Sequence, residues 1–260
     1  MTPESRERPS GERRTYRATV QYDGTAYYGF QRQRRGTPSI QATLEQALTQ
    51  ITGQSVRVIG AGRTDTGVHA LGQVVGFTIE WPNRHGTDAL LRALNANLPQ
   101  DVAVTELAEA YPGFHPRFDA QRRTYEYRVL NVPVRQPLMR QRAWQISQPL
   151  DMETMNEAAA FLIGVHDFGT FGRPTVGDTT IREVFEAEWQ REGDLLVFRI
   201  CANAFLHRMV RSIVGSLKEV GCGKWSVDDF EMAMASRLRN RSATSAPAHG
   251  LYLVSVEYND

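Results

Sequence analysis

The chain has 260 residues, of which 41% are hydrophobic and 23% are charged, and its formal net charge at pH 7 is +1. These values are typical of a folded globular protein and exclude a disordered or fibrous chain. No apolar run approaches the roughly 18 residues of a membrane span, and the arginines near the N-terminus precede no apolar stretch of a secretory signal. We therefore expect a cytoplasmic protein.

The predicted elements form two similar sets in chain order. Residues 1–14 lack a hydrophobic period and are expected to be a flexible tail. The first set comprises strand 15–22, a helix with an apolar stripe from Ile40 to Ile51 and Thr37 as its expected N-cap, strands 55–59 and 73–79, helix 88–98 and strand 102–107. The second set comprises strand 124–130, helix 152–163, strands 181–189 and 195–201, helices 205–220 and 227–237, and strand 252–258.

Apart from the extra helix before the last strand, both sets follow the order β-α-β-β-α-β, which is that of two tandem split β-α-β units. We therefore expect an α+β protein of two ferredoxin-like or RRM-like halves, with antiparallel sheets and helices on the outer faces. The expected halves are residues 15–115 and 116–260, with a central cleft between them.

The segment 60–72, GAGRTDTGVHALG, contains four glycines in thirteen residues. Glycine lets the backbone adopt positive φ and approach a ligand closely, so Arg63, Asp65 and His69 would lie on a tight loop. The glycine spacing is not that of a dinucleotide or phosphate-binding loop. A hairpin turn with purely structural roles for Arg63 and Asp65 remains the alternative. A metal site at Asp65 and His69 lacks further ligands at suitable spacing.

A basic helix is predicted from the segment 203–217, NAFLHRMVRSIVGSL. Its apolar residues recur at helical spacing and should face the core, which leaves His207, Arg208 and Arg211 on the opposite side. Gly215, one turn beyond Arg211, leaves room beside the guanidinium for another backbone or a ligand. A solvated basic face of an ordinary amphipathic helix explains the same pattern equally well.

The strand 122–128, RRTYEYR, directs Tyr125 and Tyr127 to the same face. Paired tyrosines on a strand are usually half-buried core residues. The flanking arginines, among them Arg123, also allow a stacking platform for an unpaired base.

Arginine dominates the basic residues, because only Lys218 and Lys224 among the 30 are lysines. The planar guanidinium binds phosphate oxygens in pairs. Compositional bias explains the total but not the clustering of seven arginines within 117–142 and of Arg32, Arg34 and Arg35. We predict that these clusters form a track for a polyanion, with a solvated charged face as the alternative.

Five motifs occur in one order along the chain: YDGTAYYGFQRQ at 22–33, GRTDTGVH at 62–69, RTYEY at 123–127, HRMVRSIVG at 207–215 and APAHGLYL at 246–253. Together they closely resemble the tRNA pseudouridine synthase A family, over nearly the whole chain after the tail. Two departures are visible, because Thr66 stands where the family usually has alanine and Phe30 where it usually has tryptophan.

The resemblance implies a homodimer that needs no cofactor or metal, binds tRNA in the central cleft, and converts uridine to pseudouridine at positions 38, 39 and 40 of the anticodon stem-loop. It also implies that Asp65 is the catalytic carboxylate, that Tyr125 stacks on the target base, and that Arg211 is the partner of Asp65. Further candidates for substrate contact are Arg63, His69, Arg32, Gln33, Arg123, His207 and Arg208.

The implied chemistry suits these residue types. Breaking the N1–C1′ bond and forming C5–C1′ is redox-neutral, and a carboxylate can act at the sugar or the base. The target base must leave its stack, at a cost of a few kcal/mol that stacking on Tyr125 would partly offset. The sequence leaves open whether Asp65 attacks C1′, attacks C6 or stabilises a glycal, and whether Tyr125 transfers a proton. A non-catalytic RNA-binding protein and a metal-dependent phosphohydrolase that uses Asp65 and His69 are the weaker alternatives.

Overall fold

A computed structural model describes residues 12–34, 36–82, 85–175 and 177–259, which form ten strands and five α-helices. The strands are β1 (Arg13–Tyr22), β2 (Ile59–Gly60), β3 (His69–Glu80), β4 (Val102–Glu109), β5 (Ala120–Leu130), β6 (Trp144–Gln145), β7 (Gly164–Asp167), β8 (Ile181–Glu192), β9 (Leu195–Ala202) and β10 (Leu251–Tyr258). The helices are α1 (Ile40–Thr52), α2 (Gly86–Asn97), α3 (Met152–Ala160), α4 (Met209–Gly221) and α5 (Val227–Ala235). The predicted α+β class is confirmed. No described helix is long and apolar enough to cross a membrane.

The strands form one sheet in the order β4-β1-β3-β10-β5-β9-β8-β7, with β2 added to β3 and β6 added to β5. In the first half the order β4-β1-β3-β2, and in the second half the order β10-β5-β9-β8, follow the same split β-α-β arrangement. The two expected units are therefore present, and they share a continuous sheet.

Strand β10 joins the two halves. One edge of β10 runs parallel to β3, where Tyr252 pairs with His69 and Leu253 with Ala70. The other edge runs antiparallel to β5, where Leu253 pairs with Tyr125. The last strand of the second unit therefore holds the start of β3, and with it the end of the glycine-rich loop, next to β5.

The helices form two groups that cover the two parts of the sheet. Helix α1 packs on α2, and α2 on β4, whereas α3, α4 and α5 contact one another and α3 and α4 also contact β8 and β5. The apolar stripe of α1 is buried at Ile40, Leu44 and Leu48, as its periodicity predicts. Burial of each such side chain contributes roughly 1.5–3 kcal/mol relative to exposure.

Several predicted boundaries are wrong for identifiable local reasons. Strand β1 begins at Arg13, inside the predicted tail, whereas residues 1–11 lie outside the described part of the chain. Ser39 rather than Thr37 caps α1, because the Ser39 hydroxyl accepts the N–H of Ala42. Helix α4 begins only at Met209, because Arg208 has a φ of +63° that no right-handed helix accommodates.

The predicted strand at 55–59 is reduced to the two residues of β2. Two side chains of α1 bind the backbone of Val58 in place of a neighbouring strand. Glu45 accepts the Val58 N–H at 3.2 Å, and Gln41 donates to the Val58 carbonyl at 3.0 Å. The segment before β2 is thus fixed by helix side chains instead of a strand ladder.

Candidate active site

A cleft of about 820 Å³ lies where the two halves meet. Residues of the 60–68 loop form one wall, and residues 204–211, which lead into the first turn of α4, form another. Tyr125 on β5 also lines the cleft, together with residues from the 28–33, 57–59 and 115–118 segments and Arg182. The cleft therefore contains the glycine-rich loop, the basic helix and the tyrosine strand that the sequence singled out.

The loop that carries Asp65 is held against the 27–30 turn. The N–H of Phe30 donates to the carbonyl of Thr64 at 3.1 Å, and the hydroxyl of Tyr22 lies 2.8 Å from that of Thr64. Gly29 has a φ of +89°, and a Cβ there would lie 2.6 Å from the Thr64 carbonyl oxygen. Only glycine allows this close approach, so the turn fixes the backbone beside Asp65.

The Asp65 carboxylate is bound by two side chains of the other half. Arg211 donates from Nη1 to Oδ2 at 3.0 Å, and Nε2 of His207 lies 3.4 Å from Oδ1. The Asp65 side chain remains 24% exposed and lines the cleft. Its position is therefore fixed while part of the carboxylate stays accessible to a substrate.

Arg211 is positioned by the segment that precedes β10. Its Nε donates to the carbonyl of Ala246 at 2.7 Å, and the N–H of Ala246 donates to the carbonyl of Arg211 at 2.9 Å. A Cβ at Gly215 would lie 2.1 Å from the carbonyl oxygen of Thr244. The space that the sequence predicted beside Arg211 is thus filled by another backbone.

Tyr125 lies at the bottom of the cleft, with only 8% of its surface exposed. The ring of Phe205 meets it edge-on at 5.0 Å, and its hydroxyl lies beside Gly62. Burial, with a smaller effect of Tyr22, raises the pKa of Tyr125, so its hydroxyl stays protonated at neutral pH. Tyr127 has a structural role, because it is fully buried and donates to the carbonyl of Pro247 at 2.8 Å.

Arginine dominates the charge of the cleft. Among the described residues that line it, Asp65 is the sole carboxylate, and seven are arginines: Arg57, Arg63, Arg117, Arg123, Arg182, Arg208 and Arg211. A concave surface of one sign attracts a polyanion and raises its rate of association. Sequence reasoning missed Arg57 and Arg182, which stand outside the arginine clusters and reach the cleft only through the fold.

His69 lies outside the cleft, contrary to the expectation that it contacts the substrate. It is 2% exposed, and its ring stacks on Tyr252 at 4.8 Å. The N–H of Gly24 donates to Nδ1 at 3.1 Å, and Nε2 donates to the carbonyl of His249 at 3.2 Å. Burial lowers the pKa of His69, which favours this neutral form even though Asp23 also lies 3.1 Å from Nδ1. We interpret His69 as a structural residue.

The other predicted contact residues divide into two groups. Arg63, Gln33, His207 and Arg208 line the cleft. Arg32 does not, because it extends along α1 and pairs with Glu45 at 2.6 Å.

Arg123 lines the cleft, but its guanidinium is used by the backbone. It donates to the carbonyls of Ala120 at 2.8 Å, Asn203 at 2.6 Å and Arg117 at 2.5 Å. Only 8% of Arg123 is exposed. Its observed contacts therefore fix the cleft wall.

The seven arginines of 117–142 do not form a single track. Arg122 and Arg128 lie on the face of β5 opposite Tyr125, over the rings of Phe185 and Tyr252. Arg142 pairs with Asp23 at 2.7 Å. Arg117 and Arg123 are the members that line the cleft, and Arg35 of the smaller cluster lies outside the described residues.

Asp65 and His69, the two residues considered for a metal site, have different neighbours. His69 contacts Gly24, Asp23 and His249 rather than Asp65. Within the described ranges, no group of three or more His, Cys, Asp or Glu side chains could hold a metal ion.

Comparison with known proteins agrees with this arrangement. The family model described as tRNA pseudouridine synthase matches residues 18–119 and 158–259, which include the Asp65 loop, α4 and β10. The chain belongs to the tRNA pseudouridine synthase family. The family resemblance stated from the sequence motifs is confirmed, and the protein is an isomerase that converts uridine in tRNA to pseudouridine.

Relatives from three bacteria match this synthase over almost its full length. The tRNA pseudouridine synthase A of Sinorhizobium fredii is 43% identical over 249 residues, which cover 94% of this chain and 99% of the relative. That of Neisseria gonorrhoeae is 40% identical over 250 residues, covering 96% and 94%. That of a Thermoanaerobacter species is 41% identical over 240 residues, covering 92% and 97%.

Proposed function

We propose that this synthase isomerises uridines at positions 38, 39 and 40 of the anticodon stem-loop of tRNA, with Asp65 as the catalytic carboxylate. The observation that carries the assignment of Asp65 is its place as the sole carboxylate among the described residues of an arginine-lined cleft. The anticodon stem-loop assignment is what the five sequence motifs imply, and relatives that carry the name tRNA pseudouridine synthase A support tRNA as the substrate.

The reaction needs a carboxylate at the reacting nucleotide. The N1–C1′ bond breaks, the uracil turns and C5 bonds to C1′. The proton on C5 is then lost to solvent, and N1 takes up a proton from solvent. Asp65 acts at the sugar or at the base, while Arg211 and His207 fix its two oxygens at 3.0 and 3.4 Å. Holding the group in one orientation lowers the entropic cost of reaching the transition state.

The target base is turned out of its stack and rests on Tyr125. Unstacking costs a few kcal/mol, and base–aromatic stacking is worth roughly 1–3 kcal/mol, so the tyrosine offsets much of that cost. Because its hydroxyl stays protonated, Tyr125 serves in the resting enzyme as a stacking surface and a hydrogen-bond donor.

The arginines of the cleft bind the phosphates that flank the target nucleotide. Such contacts position the RNA without reading its sequence. The proposal includes a homodimer that acts in the cytoplasm without a cofactor, as the sequence motifs imply.

Release of tritium from C5 of uridine tests the proposal directly. Three unmodified tRNA transcripts, each with one uridine at position 38, 39 or 40, are labelled at uridine C5 and incubated with enzyme in EDTA. The wild type should release tritium, whereas Asp65→Asn should release at least a hundredfold less. Asp228→Asn is the matched control, because Asp228 is exposed on α5 and lies outside the cleft.

Three results would reject one or more of the assignments. Equal release by Asp65→Asn and Asp228→Asn would remove Asp65 from the chemistry and favour a role in RNA binding alone. Loss of wild-type release in EDTA would favour the metal-dependent alternative. Release only from uridines outside positions 38–40 would retain the enzyme but reject the anticodon stem-loop as its target.

A further inference from the structure

Arg117 and Arg182 line the cleft as a pair anchored to a single segment. Nη2 of Arg117 donates to the hydroxyl of Thr175 at 3.4 Å, and Nη1 of Arg182 donates to the carbonyl of Thr179 at 3.2 Å. Thr175 and Thr179 both belong to the connection between β7 and β8. The two guanidinium groups therefore approach the cleft from a common support.

The backbone of both arginines is also fixed. The carbonyl of Arg117 accepts from Arg123, whose guanidinium is buried. Arg182 lies in β8, where it pairs with His166 of β7 in the antiparallel ladder. Rigid supports of this kind lower the entropic cost of binding a ligand.

One hydrogen-bond donor of the Arg182 side chain has no acceptor among the described residues. Its Nε is buried and lacks a hydrogen-bond partner among the described residues. Buried donors are satisfied in the great majority of cases, since an unpaired one costs roughly 1–3 kcal/mol. An acceptor supplied by a ligand would remove this cost.

Among the described residues that line the cleft, no uncommitted carboxylate is left to neutralise the pair. Burial first, and the positive charge of Arg117 second, lower the pKa of Arg182. Asp65, the sole carboxylate among the described lining residues, is already bound by Arg211 and His207. An anion at the pair must therefore come with the substrate.

We propose that Arg117 and Arg182 jointly bind one phosphate group of the tRNA backbone, at a subsite separate from the target base. A phosphodiester carries one negative charge and two free oxygens, which suit two planar guanidinium groups. This inference rests on the binding of tRNA in the cleft that the proposed function assumes, but not on which uridine reacts.

The salt dependence of tRNA binding tests the proposal. Affinity for an unmodified tRNA transcript is measured between about 50 and 200 mM salt in the Asp65→Asn background, so that turnover does not contribute. Arg117→Gln and Arg182→Gln should each weaken binding roughly tenfold at the lowest salt. The double variant should lower the slope of log affinity against log salt by about 0.9 in total, the value for one phosphate.

Arg92→Gln is the matched control, because Arg92 is exposed on α2 and lies outside the cleft. It removes the same charge and should leave the slope unchanged. Arg182→Lys should keep most of the slope but lose affinity, because an ammonium keeps the charge without the planar fork. Thermal unfolding of each variant identifies any loss of affinity that comes from misfolding.

Two outcomes would overturn the proposal. A double variant with the slope of Arg92→Gln would show that no phosphate binds at the pair. A decrease in the slope equivalent to nearly two phosphates would show that the two arginines bind separate phosphate groups. The two proposals can fail separately. If no tritium is released from positions 38–40 but the double variant lowers the salt slope, the proposed reaction site is rejected and the phosphate subsite is retained. If tritium is released but the double variant leaves the slope unchanged, the phosphate subsite is rejected and the reaction site is retained.

Discussion

Arg211 and Asp65 connect the two halves of the protein through a 3.0 Å ion pair between residues 146 positions apart. Asp65 lies in the loop before β3, and Arg211 lies in the first turn of α4. The same guanidinium is held by the carbonyl of Ala246, just before β10. The geometry of the carboxylate therefore depends on three segments that are distant in sequence.

Replacement of Arg211 should impair catalysis more than folding. Arg211→Met removes the donor to Asp65, and we expect kcat for tritium release to fall roughly a hundredfold. Arg211→Lys retains the charge but not the planar guanidinium that reaches both Asp65 and Ala246, so its decrease in kcat should be intermediate. Lys218→Met on the same helix should retain the wild-type rate, and equal activity of Arg211→Met and Lys218→Met would contradict the role of Arg211.

Substitutions of Tyr125 separate stacking from proton transfer. Tyr125→Phe keeps the ring and should retain activity within a few-fold, whereas Tyr125→Leu should lose roughly 10- to 100-fold, corresponding to about 1–3 kcal/mol of stacking. Because burial raises the pKa of Tyr125, the wild type and Tyr125→Phe should show pH–rate profiles of the same shape between about pH 8 and 10. A large loss in Tyr125→Phe alone would instead indicate that the hydroxyl transfers a proton.

His69 should make stability sensitive to mild acid. Burial lowers its pKa in the folded protein, whereas the unfolded value is about 6.5, so the unfolded chain binds more protons as the pH falls below that value. The free energy of unfolding should thus be highest above about pH 6.5 and decrease below it, by up to about 1.4 kcal/mol per pH unit for this histidine.

Urea denaturation at several pH values measures this effect. The positive charge of Arg142 also opposes protonation of His69, whereas Asp23 favours it. His69→Gln should reduce the loss below pH 6.5, and the remainder would include His249, whose pKa burial also lowers. Identical pH profiles for His69→Gln and the wild type would show that His69 does not contribute.

Gly215→Ala should affect stability and activity together. The added Cβ would lie 2.1 Å from the Thr244 carbonyl oxygen, so either α4 or the 244–246 segment must shift. We expect a loss of about 1–3 kcal/mol in the free energy of unfolding and a lower kcat, because Ala246 positions Arg211. Thermal unfolding and tritium release measure the two effects, and an unchanged melting temperature would show that the contact is easily relieved.

Arg123→Met should mainly lower stability. It leaves the carbonyls of Ala120, Asn203 and Arg117 without their donor in a largely buried setting, which we expect to cost about 3 kcal/mol or more. Urea denaturation measures the loss, and tRNA binding is compared at a temperature where the variant remains folded. A variant of wild-type stability that binds tRNA weakly would restore Arg123 as a direct substrate contact.

The long elements were predictable because their periodicity comes from burial on one face. The apolar stripe of α1 and the alternating burial of Tyr16, Ala18 and Val20 in β1 are both visible in the sequence. Strands β2, β6 and β7 have two to four residues and carry no such period. The parallel pairing of β10 with β3 depends on contacts between distant segments, which no local pattern encodes.

The candidate site was predictable where a motif constrains several neighbours at once. The Asp65 loop, Tyr125 and Arg211 were singled out and lie in one cleft. Arg182 was not, because a single arginine at the start of a strand resembles any surface charge. His69 was misplaced because it follows the glycine-rich loop as the first residue of β3 and is buried against Tyr252.

The pairing of β10 between β3 and β5 also determines when during synthesis the enzyme can become active. A ribosome makes the Asp65 loop early and Arg211 much later, yet Ala246 and residues 251–258 must follow before these groups are held together. A nascent chain that lacks these residues already contains Asp65, Tyr125 and Arg211 but not the strand that joins the two halves. We therefore expect modification of tRNA by this chain to begin only after translation of residues 251–258.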